Sequence, residues 1–186
     1  MYALLAAVVV VLQLLSTYIK FGTVEITLAL TPIIVGAAIY GWKCGAFLGF
    51  VMSAVIFIMG VSAGGAMIPM VQYNLPASII VCFGKGIAAG AVAGIVYKVI
   101  SKKSPVLAAF SASALTPIVN TGIYIIGMIT IFNGYLTQGS TESSPILSFI
   151  LLVLSINFFI ELAVNLVLAT VITRVVDYYN AKLKKQ

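Results

Sequence analysis

Residues 75–105, LPASIIVCFGKGIAAGAVAGIVYKVISKKSP, decide the fold. From Leu75 to Ile100 the only charged side chains are Lys85 and Lys98. At about 1.5 Å per residue, such a helix outruns the roughly 30 Å hydrocarbon core of a bilayer. Gly86, Gly90 and Gly94 recur every fourth residue, a helical period and not a strand alternation. Ser101-Lys102-Lys103-Ser104-Pro105 then supplies polar, positively charged and helix-breaking residues together, so the run predicts a membrane-crossing helix over about 75–100.

The rest of the chain repeats this design. Breaks at polar and Gly/Pro clusters predict further helices over 2–19, 26–40, 45–60, 106–132 and 146–176. The polar loop Lys20–Glu25, a tight turn Gly41-Trp42-Lys43-Cys44, a longer connection 61–74 and the polar stretch 133–145 separate them. Met1–Ile19 has no basic leader and no small-residue cleavage site after its apolar core, so it reads as the first span.

Composition agrees. Of 186 residues, 62% are hydrophobic and 8% charged, and mean hydropathy is +1.21. A soluble domain carries roughly 25% charged residues. Six spans leave no room for a soluble catalytic domain. The net charge of +6 sits mostly at helix ends, which argues for topology and against a nucleic-acid-binding face. With the N-terminus inside, Lys43, Lys98, Lys102, Lys103, Arg174, Lys182, Lys184 and Lys185 all fall on the cytoplasmic side, eight of the ten basic residues. The expected fold is therefore all-α: one integral membrane domain over 1–186, a bundle of six transmembrane helices with both termini cytoplasmic.

Chemistry is sparse. There is no histidine, and Cys44 and Cys82 are isolated in apolar surroundings, so neither a metal set nor a nucleophile–base pair is visible. Phe83-Gly84-Lys85-Gly86 lacks the upstream glycine and the following Ser/Thr of a phosphate-binding loop. No catalytic residue, cofactor or metal is expected.

Polar residues inside a bilayer are costly and mark candidate sites. One helix carries Asn74, Ser78, Cys82 and Lys85 along a stripe; the next carries Thr116, Asn120 and Tyr124; the last carries Asn157, Glu161 and Asn165. Three stripes on three helices converge most economically on a cavity, with interhelical hydrogen bonding as the competing role. For Asn165 that structural role is favoured. Lys85 and Glu161, at similar depth, can neutralise each other or hold a charged ligand between them. Gly41, Gly45 and Gly49, and Gly86, Gly90 and Gly94, form small-residue seams suited to close helix packing; Ala3 and Ala7 form a shorter one.

Together these features resemble the substrate-specific (S) components of energy-coupling factor (ECF) vitamin transporters. The resemblance is carried by size, the Ala3–Ala7 seam, Tyr40-Gly41-Trp42-Lys43-Cys44-Gly45 and Lys85-Gly86 with Ala89-Gly90 and Gly94. Pro117-Ile118-Val119-Asn120-Thr121-Gly122 and Ile156-Asn157-Phe158-Phe159-Ile160-Glu161-Leu162-Ala163-Val164-Asn165 complete it. It implies capture of a water-soluble vitamin or related micronutrient at the outer face of a bacterial plasma membrane. A transmembrane coupling subunit, docked on Ala3 and Ala7, and two cytoplasmic ATPases would supply the energy. The expected substrate-binding residues are Asn74, Ser78, Lys85, Asn120, Tyr124, Asn157 and Glu161. A single tryptophan argues against a site of stacked tryptophans, and Lys85 beside amides suits a small anion such as pantothenate. The alternative is a stand-alone carrier or channel coupled to an ion gradient through Glu161 and Lys85.

Overall fold

The computed structural model describes residues 2–18, 20–21, 24–25, 28–62, 67–137, 145–153 and 156–183. α1 spans Tyr2–Tyr18. It is followed by a short antiparallel pairing of β1 (Lys20–Phe21) and β2 (Val24–Glu25), with Lys20 opposite Glu25 and Phe21 opposite Val24. The expected all-helical chain thus includes one small hairpin. The Ser16 hydroxyl donates to the Leu12 carbonyl (2.8 Å) and accepts from the Leu28 amide (3.1 Å), which ties the end of α1 to the approach of the next helix.

α2 (Leu30–Tyr40) starts later than the sequence suggests, and α3 (Trp42–Ser62) begins almost at once after it. The turn between them is Gly41 alone, because its φ of +87° reverses the chain where side-chain-bearing residues are strained. Space is not the reason: a Cβ there would touch nothing within 4 Å. Trp42, Lys43 and Cys44, expected in the turn, are the first turn of α3.

The connection 61–74 contains a short helix, α4 (Met67–Tyr73). α5 (Leu75–Ile100) and α6 (Pro105–Thr130) match the sequence expectation closely, and capping explains why. The Asn74 side chain accepts from the Ala77 amide (3.1 Å) and the Ser104 hydroxyl from the Leu107 amide (3.3 Å), each satisfying a donor at a helix start. Pro76 and Pro105 lie in the first turn, where the missing N–H costs nothing. In the final apolar run, expected as one helix over 146–176, the described residues are helical over Pro145–Val153 (α8) and Ile156–Leu183 (α9), and a short α7 (Asn133–Thr137) precedes them.

α3 and α5 pack backbone to backbone. A Cβ on Gly45 would collide with the Gly90 carbonyl oxygen, and one on Gly90 with that of Gly45. Gly49 and Gly86 meet in the same reciprocal way, one turn further on, and Gly94 abuts the backbone of Trp42. The seams read from the sequence are thus two halves of one antiparallel contact within this chain.

Around it lie three apolar clusters. Ile34, Ala37, Ala93, Tyr97, Ala108, Ala112 and Ile172 join α2, α5, α6 and α9. Val9, Leu30, Ile33, Leu48 and Met52 join α1, α2 and α3. Met70, Ala77, Val81, Met128 and Phe132 close the other end of the bundle. Tyr40 meets Tyr2 edge-on at 5.3 Å and Tyr179 at 5.7 Å, so the start of α1 and the last turns of α9 come to one end. Among the described residues four helices are long and apolar enough to cross a membrane: α3, α5, α6 and the Phe158–Tyr179 part of α9. α1 and α2 are apolar but shorter. Ile58, Ile80, Ile126, Phe159 and Val167 stand exposed, the arrangement of a bundle whose solvent is lipid.

Candidate functional site

The antiparallel pair α5–α6 brings two of the expected residues into contact. The Lys85 ammonium lies over the Tyr124 ring, 5.0 Å from its centroid. The ring's electron-rich face attracts a cation, most strongly where water is excluded. Tyr124 packs in turn against Phe149 of α8 at 6.0 Å. Asn120 lies one turn along α6 from Tyr124 and is 6% exposed; among the described residues its Oδ1 meets no hydrogen-bond donor. A buried amide oxygen in that state is ready for a donor from outside the chain. Asn120 sits above Pro117, which leaves a helix carbonyl without its usual N–H. Glu161 is 8% exposed on α9, which packs against α6.

The other expected residues have structural duties. Asn74 caps α5, and the buried Ser78 hydroxyl donates back to the Asn74 carbonyl (2.9 Å). The Cys82 thiol donates to the Ser53 carbonyl of α3 at 3.6 Å. The α5 stripe therefore divides: three residues hydrogen-bond at the helix start and to α3, and Lys85 stacks on a ring of α6. Thr116 is satisfied by the Ala112 carbonyl at 2.6 Å. Asn165 Nδ2 donates to the Glu161 carbonyl (2.9 Å), and its Oδ1 accepts from the Thr31 hydroxyl of α2 (3.4 Å). That makes Asn165 a link between α9 and α2, the role favoured for it from sequence. The Asn157 side chain lies outside the described residues.

Two participants escape a sequence reading. Thr31 carries no spacing cue, since its partner is on the last helix. Phe149 looks like any residue of an apolar run, although it flanks the Lys85–Tyr124 contact. On α1, Ala3 and Ala7 are both exposed, in line with the exposed Val11 and Leu15.

The groups described are suited to recognition: a cation on an aromatic ring, an amide oxygen that meets no donor among the described residues, and a buried carboxyl group on the neighbouring helix. A comparison with curated proteins found no match. The family model described as "ECF transporter, substrate-specific component" matches residues 1–173 of the 186. The chain therefore belongs to the substrate-specific components of ECF transporters, multi-pass membrane subunits that bind a transported substrate and are not enzymes.

Proposed function

We propose that this S component captures a small anionic, water-soluble micronutrient, pantothenate-like in chemistry, at the outer face of a bacterial plasma membrane. The observation that carries this reading is the Lys85–Tyr124 contact beside the buried Asn120 oxygen. A ligand carboxylate draws the Lys85 ammonium to itself, and a hydroxyl or amide N–H of the same ligand donates to Asn120. Glu161 of α9 is included in the proposed site, and Asn74 and Ser78 secure the start of the α5 helix that carries Lys85. A transmembrane coupling subunit, docked on the exposed Ala3–Ala7 face, and two ATPases drive release inward. The meeting of Tyr2, Tyr40 and Tyr179 at one end supports an even number of crossings, six, with both termini inside.

Titrating the purified chain with pantothenate tests the substrate class, with melting temperature as readout. Binding raises the melting temperature of the native chain, and Lys85→Ala weakens affinity by about ten- to a hundred-fold, the worth of a charged hydrogen bond. No shift at millimolar pantothenate removes the assignment. Transport in liposomes only with the coupling and ATPase subunits present separates this function from a stand-alone ion-coupled carrier.

A further inference from the structure

Far from that site, the α2–α3 junction and the α5–α6 loop leave a cleft of about 450 Å³ between them. Ala38 and Ile39 of α2, Lys98 and Ser101 at the end of α5, Pro105 of α6 and Val176 of α9 contribute to its walls. The volume lies within the range of about 300–1,000 Å³ typical of ligand pockets. Lys43 lies two residues from the Gly41 wall, and Lys102 and Lys103 fall between Ser101 and Pro105. Arg174 and Asp177 are close in sequence to Val176; of the charged residues named, Lys98 is the one that lines the cleft, and Asp177 acts on the lining Tyr97.

The surroundings place the cleft at a membrane interface. Trp42 is 47% exposed, and Lys43 Nζ lies 5.9 Å from its ring centroid, an aromatic–cation pair of the kind that anchors at headgroup level. Beside the wall residues Lys98 and Pro105, the apolar side chains Val99, Val106 and Leu107 are each at least half exposed. A cleft with Lys98 and Ser101 in its wall, more lysines close by in sequence and an apolar skirt fits a molecule with an anionic head and hydrocarbon tails. Basic pockets between transmembrane helices hold acidic lipid headgroups for the same reason.

We propose that this cleft binds an anionic phospholipid, its phosphate held by Lys98 and Ser101 and its chains lying over Val99, Val106 and Leu107. The site is independent of the substrate and of the energy source for transport.

Native mass spectrometry of the full chain in detergent, with equal phosphatidylglycerol and phosphatidylcholine, tests it. The expected result is retention of phosphatidylglycerol over phosphatidylcholine. The preference falls about five-fold for each cation removed, as in Lys98→Ala, and is abolished by Lys98→Glu. Lys20→Gln, remote in sequence from the cleft, leaves it unchanged. Lys98 is exposed, so these variants keep the fold, and an unchanged melting temperature in phosphatidylcholine verifies that. Equal retention of both lipids, or a preference that survives Lys98→Glu, overturns the proposal. A melting shift with inorganic phosphate alone, equal to that with phosphatidylglycerol, overturns it in favour of a soluble anion. Loss of coupling-subunit binding in Lys98→Glu with lipid retention intact overturns it in favour of a protein contact.

Discussion

Lys85 would be expensive in hydrocarbon without compensation, and the Tyr124 ring supplies part of it. Tyr124→Phe keeps a ring face and leaves stability nearly unchanged. Tyr124→Leu removes the face and lowers stability by about 0.5–2 kcal/mol, measured by unfolding in a denaturing detergent. The Thr31–Asn165 hydrogen bond is a different kind of contact, one polar pair crossing between two apolar helices. Thr31→Val deletes its donor and costs about 0.6 kcal/mol, the usual worth of such a bond in a membrane, with ligand affinity unaltered. A pronounced loss of binding in Thr31→Val would instead draw α2 into the site. At this scale the sequence locates polar residues but not their partners. Asn74, Ser78, Cys82 and Lys85 share a helical stripe, yet capping, back-bonding, an α3 carbonyl and an aromatic ring claim one each. Periodicity cannot separate these outcomes, because all four satisfy the same spacing.

Glycines show how much an element reveals. Gly84 and Gly86 are two residues apart on α5, and their environments are opposite. A Cβ at Gly84 would meet nothing within 4 Å, whereas one at Gly86 would strike Ser53 and the backbone of Gly49. Gly84→Ala is expected to stabilise the chain by about 0.5–1 kcal/mol through helix propensity. Gly86→Ala should destabilise it by about 1–3 kcal/mol, as overpacking does, because neither backbone can yield. Thermal unfolding of the two variants side by side checks the contrast. Four-residue spacing by itself separates these glycines, since Gly86 falls in the repeat with Gly90 and Gly94 and Gly84 does not. That is why the α3–α5 seam is legible in the sequence. Helix ends are legible where caps and prolines mark them, as at Asn74-Leu75-Pro76 and Ser104-Pro105. They are less so elsewhere. Trp42-Lys43-Cys44 resembles a turn by polarity, but Gly41 makes the reversal alone.

For the whole molecule, the charge distribution predicts a topology with both termini inside, and chemical access can report it. After replacement of Cys44 and Cys82, a cysteine introduced at Lys103 is expected to react with impermeant thiol reagent only from the cytoplasmic side. One introduced at Glu142 reacts only from outside; the reverse labelling pattern would invert the assignment. The bundle is readable because composition and small-residue spacing are properties of the chain alone; the function class comes from the family resemblance. The span count is harder. α2 has 11 residues, about 16 Å of helix against a roughly 30 Å hydrocarbon core, so hydropathy finds the segment without fixing how it crosses. The Gly45–Gly90 and Gly49–Gly86 contacts also govern what the molecule can do mechanically. Most helix pairs meet through interdigitated side chains, which can repack to accommodate small shifts. Here backbone meets backbone, and a slip of about 1.5 Å, one residue, drives a neighbouring Cβ into a carbonyl. α3 and α5 are thereby a single beam. Any bending of the bundle must therefore be taken up at the joints on either side of that beam: the one-residue pivot at Gly41 and the loop from Ser101 to Ser104.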